Sequence, residues 1–208
     1  MKSKIIIVIT AVFGIVFTAC KQEAEKTNAP VADNQQMEMK ENTAMSPGNE
    51  VKTVAVVFNN VDPNASKVFS RAFNEYSQLK NALASDNANE ATAKAASLLS
   101  ELKKLDKSYL TAEQKKEYDK LEKPVLDFAT AIAATGELDS QRKLFAVLSE
   151  NTYELVKTFG AGQPVYYLHC PMAMDNKGAM WLSENAEVKN PFFGSQMLTC
   201  GSVREAIQ

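Results

Sequence analysis

Apolar residues return along most of this chain at helical spacing. From Asp62 onward, Val68, Phe69, Ala72, Phe73, Tyr76, Leu79 and Leu83 recur every three or four positions, which predicts a helix with one buried stripe. Asp62 followed by Pro63 supplies its start, a side-chain cap with proline at the first helical position. A second start lies at Asn87, with Glu90 three residues on and Ala91, Ala95, Leu98, Leu99, Leu102 and Leu105 behind it. Thr111 and Gln114 have capping-box spacing, and Tyr118, Leu121, Val125, Phe128 and Ile132 carry the period forward. Pro124 is expected to kink or divide that segment, and Gly136 to end it. Leu144, Phe145, Leu148, Leu155, Val156 and Phe159 mark a fourth helix from Leu138 to Phe159, stopped by Gly160 and Gly162. Four such helices on short links predict an all-α fold, an antiparallel up-and-down four-helix bundle. Ahead of them, Val51 to Phe58 is mostly β-branched or apolar and reads equally as a short strand or as a segment laid along the body.

The first fifty residues follow another pattern. Lys2 and Lys4 precede a run from Ile5 to Phe17 that is apolar, small or a lone threonine, the form of a secretory signal. The run is shorter than the roughly 20 residues a membrane-crossing helix needs. It ends in Phe17, Thr18, Ala19 and Cys20, which resembles the lipobox cut by lipoprotein signal peptidase, with Phe17 where leucine is usual. The expectation is a signal peptide over 1–19 and a lipid on Cys20. That places the chain in the bacterial envelope, in the outer membrane facing the periplasm. Residues 20–50 are rich in Glu, Lys, Asn, Gln and Ala, with Pro30, Pro47 and Gly48, and predict a disordered tether. A flexible chain of that length reaches roughly 30 Å. Its methionines, Met37, Met39 and Met45, read either as weak soft-metal contacts or as plain spacer residues. Residues 51–208 then form the folded domain, with a C-terminal cap from about 163.

Charge narrows the function classes. The 23 basic and 25 acidic residues are interspersed and leave a net charge of -2, so the footprint of a nucleic-acid binder is missing. The helical stripes read as core. A di-metal carboxylate bundle would need histidines three residues after glutamates, and the sole histidine is His169.

Potential ligands crowd the end of the chain. No Met, Cys or His lies between Pro47 and Leu168, yet His169, Cys170, Met172, Met174, Met180, Met197 and Cys200 follow. Pro171, Gly178, Pro191, Gly194 and Gly201 predict that these sit on an irregular cap. Tyr166 to Cys170 reads as extended, which points His169 and Cys170 to opposite sides and lets Cys170 share a side with Met172. Met197 and Cys200 share a face if their segment turns helically. Two thiolates with thioethers form a soft set that selects Cu(I), and His169 joins only if the backbone bends. Met174 and Met180 read as gap-filling residues or as further ligands. Trp181 reads as the anchor of the cap on the helices. Asn190 before Pro191, and Asn176 near Gly178, read as turn chemistry alone.

Four pieces in this stretch, HCPMA at His169 to Ala173, GAMWL at Gly178 to Leu182, NPFFG at Asn190 to Gly194 and MLTCG at Met197 to Gly201, carry a resemblance. In this order they resemble the signature of a bacterial domain-of-unknown-function family. That family occurs in lipoproteins and is appended to periplasmic adaptor subunits of copper and other heavy-metal efflux systems. Residues 62–160 resemble its helical portion more loosely, and a phenylalanine at 192 or 193 stands where tyrosine is frequent. The resemblance implies metal homeostasis, copper above all, with the metal on Cys170, Met172, Met197 and Cys200. It also implies a heavy-metal efflux adaptor or pump as partner.

Two other readings stand beside it. A Cys170–Cys200 disulfide would close a loop of about thirty residues and stabilise the domain by roughly 3 to 4 kcal/mol, giving a stapled interaction module without metal. Exported chains mature where such a bond persists. An enzyme is not expected: His169 points away from Cys170, no other histidine can act as base, and the CxxC spacing of thiol oxidoreductases is missing.

Overall fold

The computed structural model describes residues 51–208. The expected signal peptide, the Cys20 expected to carry lipid and the expected tether with Met37, Met39 and Met45 lie outside the described residues. Among those described, no helix is long and apolar enough to cross a membrane.

The chain runs through strand β1 (Lys52–Val54) and helices α1 (Pro63–Ala84), α2 (Ala88–Leu102), α3 (Ala112–Ala134) and α4 (Leu138–Phe159). Strands β2 (Val165–Cys170), β3 (Ala179–Ser183) and β4 (Ser202–Ile207) follow. The helix starts are those the sequence predicts. Asp62 Oδ1 accepts from Asn64 N at 2.7 Å, and Asn87 Oδ1 accepts from Glu90 N at 3.1 Å. Thr111 and Gln114 close a reciprocal box, at 3.2 Å into Thr111 Oγ1 and 3.0 Å into Gln114 Oε1. Each satisfies backbone donors that the first turn leaves without partners. Pro124 lies inside α3 without dividing it. It removes one backbone donor, and the packing of α3 against both α2 and α4 carries the helix through.

Consecutive helices pack on one another, and α1 also meets α4, which closes the helical layer. Its centre is aromatic. Phe69 stacks on Phe159 with ring centres 4.8 Å apart, and Tyr76 stacks on Phe145 at 5.2 Å. Tyr76 is fully buried and its hydroxyl meets Ser149 Oγ at 2.7 Å while accepting from Leu182 N at 3.1 Å. One side chain thereby ties α1 and α4 to β3.

The expected all-α class with an irregular cap is overturned by the strands. They form one mixed sheet in the order β1-β4-β2-β3, with β1 parallel to β4 and the other pairs antiparallel. The sheet lies against α4, where Tyr153 stacks on Tyr167 at 4.1 Å and donates to Glu205 at 2.6 Å. Helical periodicity cannot reveal such a layer, because β1 and β4 meet only when the two ends of the domain are brought together. Val51 to Phe58 does both things its composition allowed. Lys52–Val54 pairs with β4, and Val57 and Phe58 then donate to the last carbonyls of α4, at Lys157 (2.9 Å) and Thr158 (3.0 Å).

Candidate metal centre

Cys170 ends β2 and Cys200 lies two residues before the start of β4. Because β2 and β4 are neighbours, with His169 opposite Ser202, their ends bring the two sulfurs together. Cys170 Sγ and Cys200 Sγ are 3.3 Å apart, both free thiols. A disulfide is about 2.05 Å long, so these sulfurs are in contact and unbonded. Cys170 is 0 % exposed and Cys200 is half-buried. The neighbouring Cys170 thiol, with burial and charge repulsion behind it, pushes the Cys200 thiol above its ordinary pKa. Cys200 therefore rests as a thiol at neutral pH, and a metal that binds it must displace its proton.

Cys200 is held by its loop. Met197 follows a single 3₁₀ turn, Gly194–Gln196, and its carbonyl accepts from Cys200 N at 3.1 Å. That hydrogen bond closes a turn outside the 3₁₀ helix, with Met197 in a non-helical conformation and half-buried. The loop is organised by Asn190, which is 0 % exposed. Its side-chain amide donates to Cys200 O at 2.7 Å, and its Oδ1 accepts from Phe192 N at 2.8 Å and Phe193 N at 3.3 Å. Its backbone adds Asn190 N to Leu198 O at 2.8 Å and Gly194 N to Asn190 O at 3.1 Å. Sequence reading assigned this residue only to a turn. The sole sequence sign of more was its place within the NPFFG piece.

The remaining candidates divide between two places. His169 faces Met180 directly across β2 and β3, one residue out of phase with Cys170, so alternation puts both on the face turned away from the thiol pair. His169 Nδ1 lies 3.4 Å from Arg204 Nη2, and burial with that guanidinium lowers the imidazole pKa. The structure does not bring His169 or Met180 to the sulfurs. Met172, 46 % exposed, and Met174 line a cleft of about 540 Å³ together with Arg142, Lys143, Lys177 and Phe192. Between β2 and β3, Met174, Asp175 and Asn176 take φ of 52°, 58° and 62°, a left-handed turn that Asp and Asn tolerate better than Met. Trp181 is the anchor the sequence suggested. It is fully buried and meets Phe192 edge-on at 5.9 Å, and Phe192 meets Phe145 of α4 at 6.1 Å.

Set against known proteins, the helices carry the likeness. Residues 72–164 match the family described as a protein of unknown function, DUF3347. The match runs from α1 through α4 and ends one residue before β2, so it supports a domain of unknown function for the helices and leaves the thiol pair beyond its edge. No curated protein and no solved structure matches the chain.

Proposed function

We propose that this chain is a lipid-anchored envelope protein that binds Cu(I) through Cys170 and Cys200 and serves copper homeostasis, resistance or efflux. The observation that carries this reading is the approach of two unbonded sulfurs to 3.3 Å at the joined ends of β2 and β4. A metal held by two thiolates at about 2.3 Å in tetrahedral geometry separates them by about 3.8 Å, so the pair needs to open by only about half an ångström. Cys200, on the loop side, takes up that movement. Among the described residues no three His, Cys, Asp or Glu side chains gather at one point. Zinc sites draw three or four ligands from that set, whereas thiolates and thioethers suit Cu(I). Met197, three residues before Cys200, and Met172, two after Cys170, are the thioethers proposed to complete the site.

In this reading the lipid on Cys20 and the tether keep the site close to the membrane. A heavy-metal efflux adaptor or pump receives the ion, and no catalytic step is required. The same sulfur contact also favours a second reading, in which Cys170 and Cys200 form a structural disulfide that staples β2 to β4 in a metal-free interaction module.

Titration of the reduced protein with Cu(I) under anaerobic conditions, against a chromophoric chelator, separates the two. The protein is expected to withhold one copper from the chelator. Cys170→Ser with Cys200→Ser should abolish this, and Met172→Leu with Met197→Leu should weaken it. Competition no better than that of the double cysteine variant would sink the copper reading.

A further inference from the structure

The two sulfurs differ in a way that copper binding does not use. Cys170 is sealed on the inner face of β2, opposite the buried Ala179. Cys200 is half-buried and follows the exposed Leu198 and Thr199. A solvent-borne disulfide can therefore reach Cys200 and not Cys170. The reactivity of a thiol follows its access as well as its thiolate fraction.

We infer that Cys200 is an entry point for thiol–disulfide exchange and that Cys170 is its resolving thiol. In the first step the Cys200 thiolate attacks one sulfur of a small disulfide such as oxidised glutathione. A bond forms between that sulfur and Cys200 Sγ, and the other sulfur leaves as a thiolate. In the second step the Cys170 thiolate, whose sulfur already lies 3.3 Å away, attacks Cys200 Sγ and expels the second small thiolate. The protein gives up two electrons and two protons. The small disulfide accepts both and becomes two thiols. Asn190 keeps the mixed disulfide short-lived, because its amide fixes the Cys200 backbone at 2.7 Å and holds the sulfur over its partner.

Exchange consumes both sulfurs, so it also closes the metal site. That consequence rests on the copper reading, and the exchange itself does not.

The test uses the reduced protein, oxidised glutathione and acid quenching, with the adducts located by peptide mass spectrometry. Wild type should end as an intramolecular disulfide with no glutathione retained, and the early adduct should map to Cys200. Cys170→Ser should accumulate one glutathione on Cys200. Cys200→Ser should be modified at Cys170 slower by at least about tenfold. Equal rates in the two variants, or an early wild-type adduct on Cys170, would overturn the assignment. The wild-type adduct decides even if a serine variant fails to fold. A parallel Cu(I) competition before and after oxidation keeps the readings apart. Exchange without copper binding removes the copper reading alone, and copper binding without asymmetric exchange removes this one alone.

Discussion

The side-chain amide of Asn190 donates to the carbonyl of Cys200 at 2.7 Å, so a fully buried residue in one loop arm fixes the backbone of a thiol in the other. Asn190→Ala leaves that carbonyl and the N–H groups of Phe192 and Phe193 without their partner. Each unpaired buried group costs about 1 to 3 kcal/mol, so denaturant unfolding should show a loss of about 3 kcal/mol. Asn190→Asp keeps the acceptor for Phe192 and Phe193 but turns an oxygen toward Cys200 O. It should retain more stability than the alanine variant and still resolve the glutathione adduct more slowly than wild type. An exchange rate equal to wild type in a folded Asn190→Asp protein would show that Asn190 shapes the loop without positioning the thiol.

Lys80 rises from α1 with 2 % of its side chain exposed and donates to Glu184 at 2.8 Å and Ser183 at 3.1 Å. Burial lowers its pKa, against the pull of Glu184, so the ammonium depends on that partner. Lys80→Met keeps the volume and strands the Glu184 carboxylate. Removing one partner of a buried pair costs about 3 to 5 kcal/mol, and the partial exposure of Glu184 brings the expectation to about 2 kcal/mol. Adding Glu184→Gln should recover part of that. A double-mutant cycle measures the coupling, and strictly additive losses would mean the pair stabilises nothing as a pair.

Two carboxylates are held furthest below their ordinary range. The hydroxyl and N–H of Ser195, with the Arg142 guanidinium, hold Asp86 at about 2, below its ordinary 3.8. For Glu184 burial works the other way, yet hydrogen bonds from Lys80 and Ser77 hold it at about 2, below 4.5. Both pKa values are depressed in the fold, so their contribution is complete above about pH 4.5 and is lost as pH falls toward 2. The melting temperature should drop between pH 5 and pH 3, by a margin that Asp86→Asn with Glu184→Gln reduces. An unchanged slope in that double variant would place the acid sensitivity elsewhere.

The helical half was legible because its signals are local. Asp62, Asn87 and the Thr111–Gln114 box each act within three residues of themselves. The sheet was not, because Val54 meets Ile207 across the whole domain, and β4 carries Arg204 and Glu205 where a hydrophobic strand would have announced itself. Elimination, on the expectation that Cys20 carries lipid, left Cys170 and Cys200 as the candidate thiols, and their approach to 3.3 Å follows from the pairing of β2 with β4. That His169 points away from Cys170 was legible from alternation along the extended Tyr166–Cys170 run; that Met180 faces His169 was not, since it follows from the β2–β3 register and no local pattern encodes it. Asn190 shows the same limit: its dipeptide with Pro191 marks a turn, and only the fold reveals the carbonyl its amide reaches.

Gly201 joins the thiol loop to β4 with φ of 143°, outside the range L side chains favour. A Cβ there would lie 2.7 Å from Trp181 Cη2 and 3.0 Å from His169 O. The second of these is backbone in a paired strand and cannot swing aside. Gly201→Ala must therefore shift either β2 or the buried indole, and overpacking with backbone strain should cost about 2 to 4 kcal/mol. Gly136→Ala is the matched control, since nothing lies within 4 Å of its Cβ and its φ is not in the strained range. Trp181 is the sole tryptophan, so its fluorescence reports the unfolding of both variants and any displacement of the indole before it. The cost at Gly201 comes from close approach at the base of the Cys200 loop. The same variant should therefore slow closure of the Cys170–Cys200 bond, whereas Gly136→Ala leaves it untouched. Normal closure in a destabilised Gly201→Ala protein would mean that the loop finds its geometry without this junction.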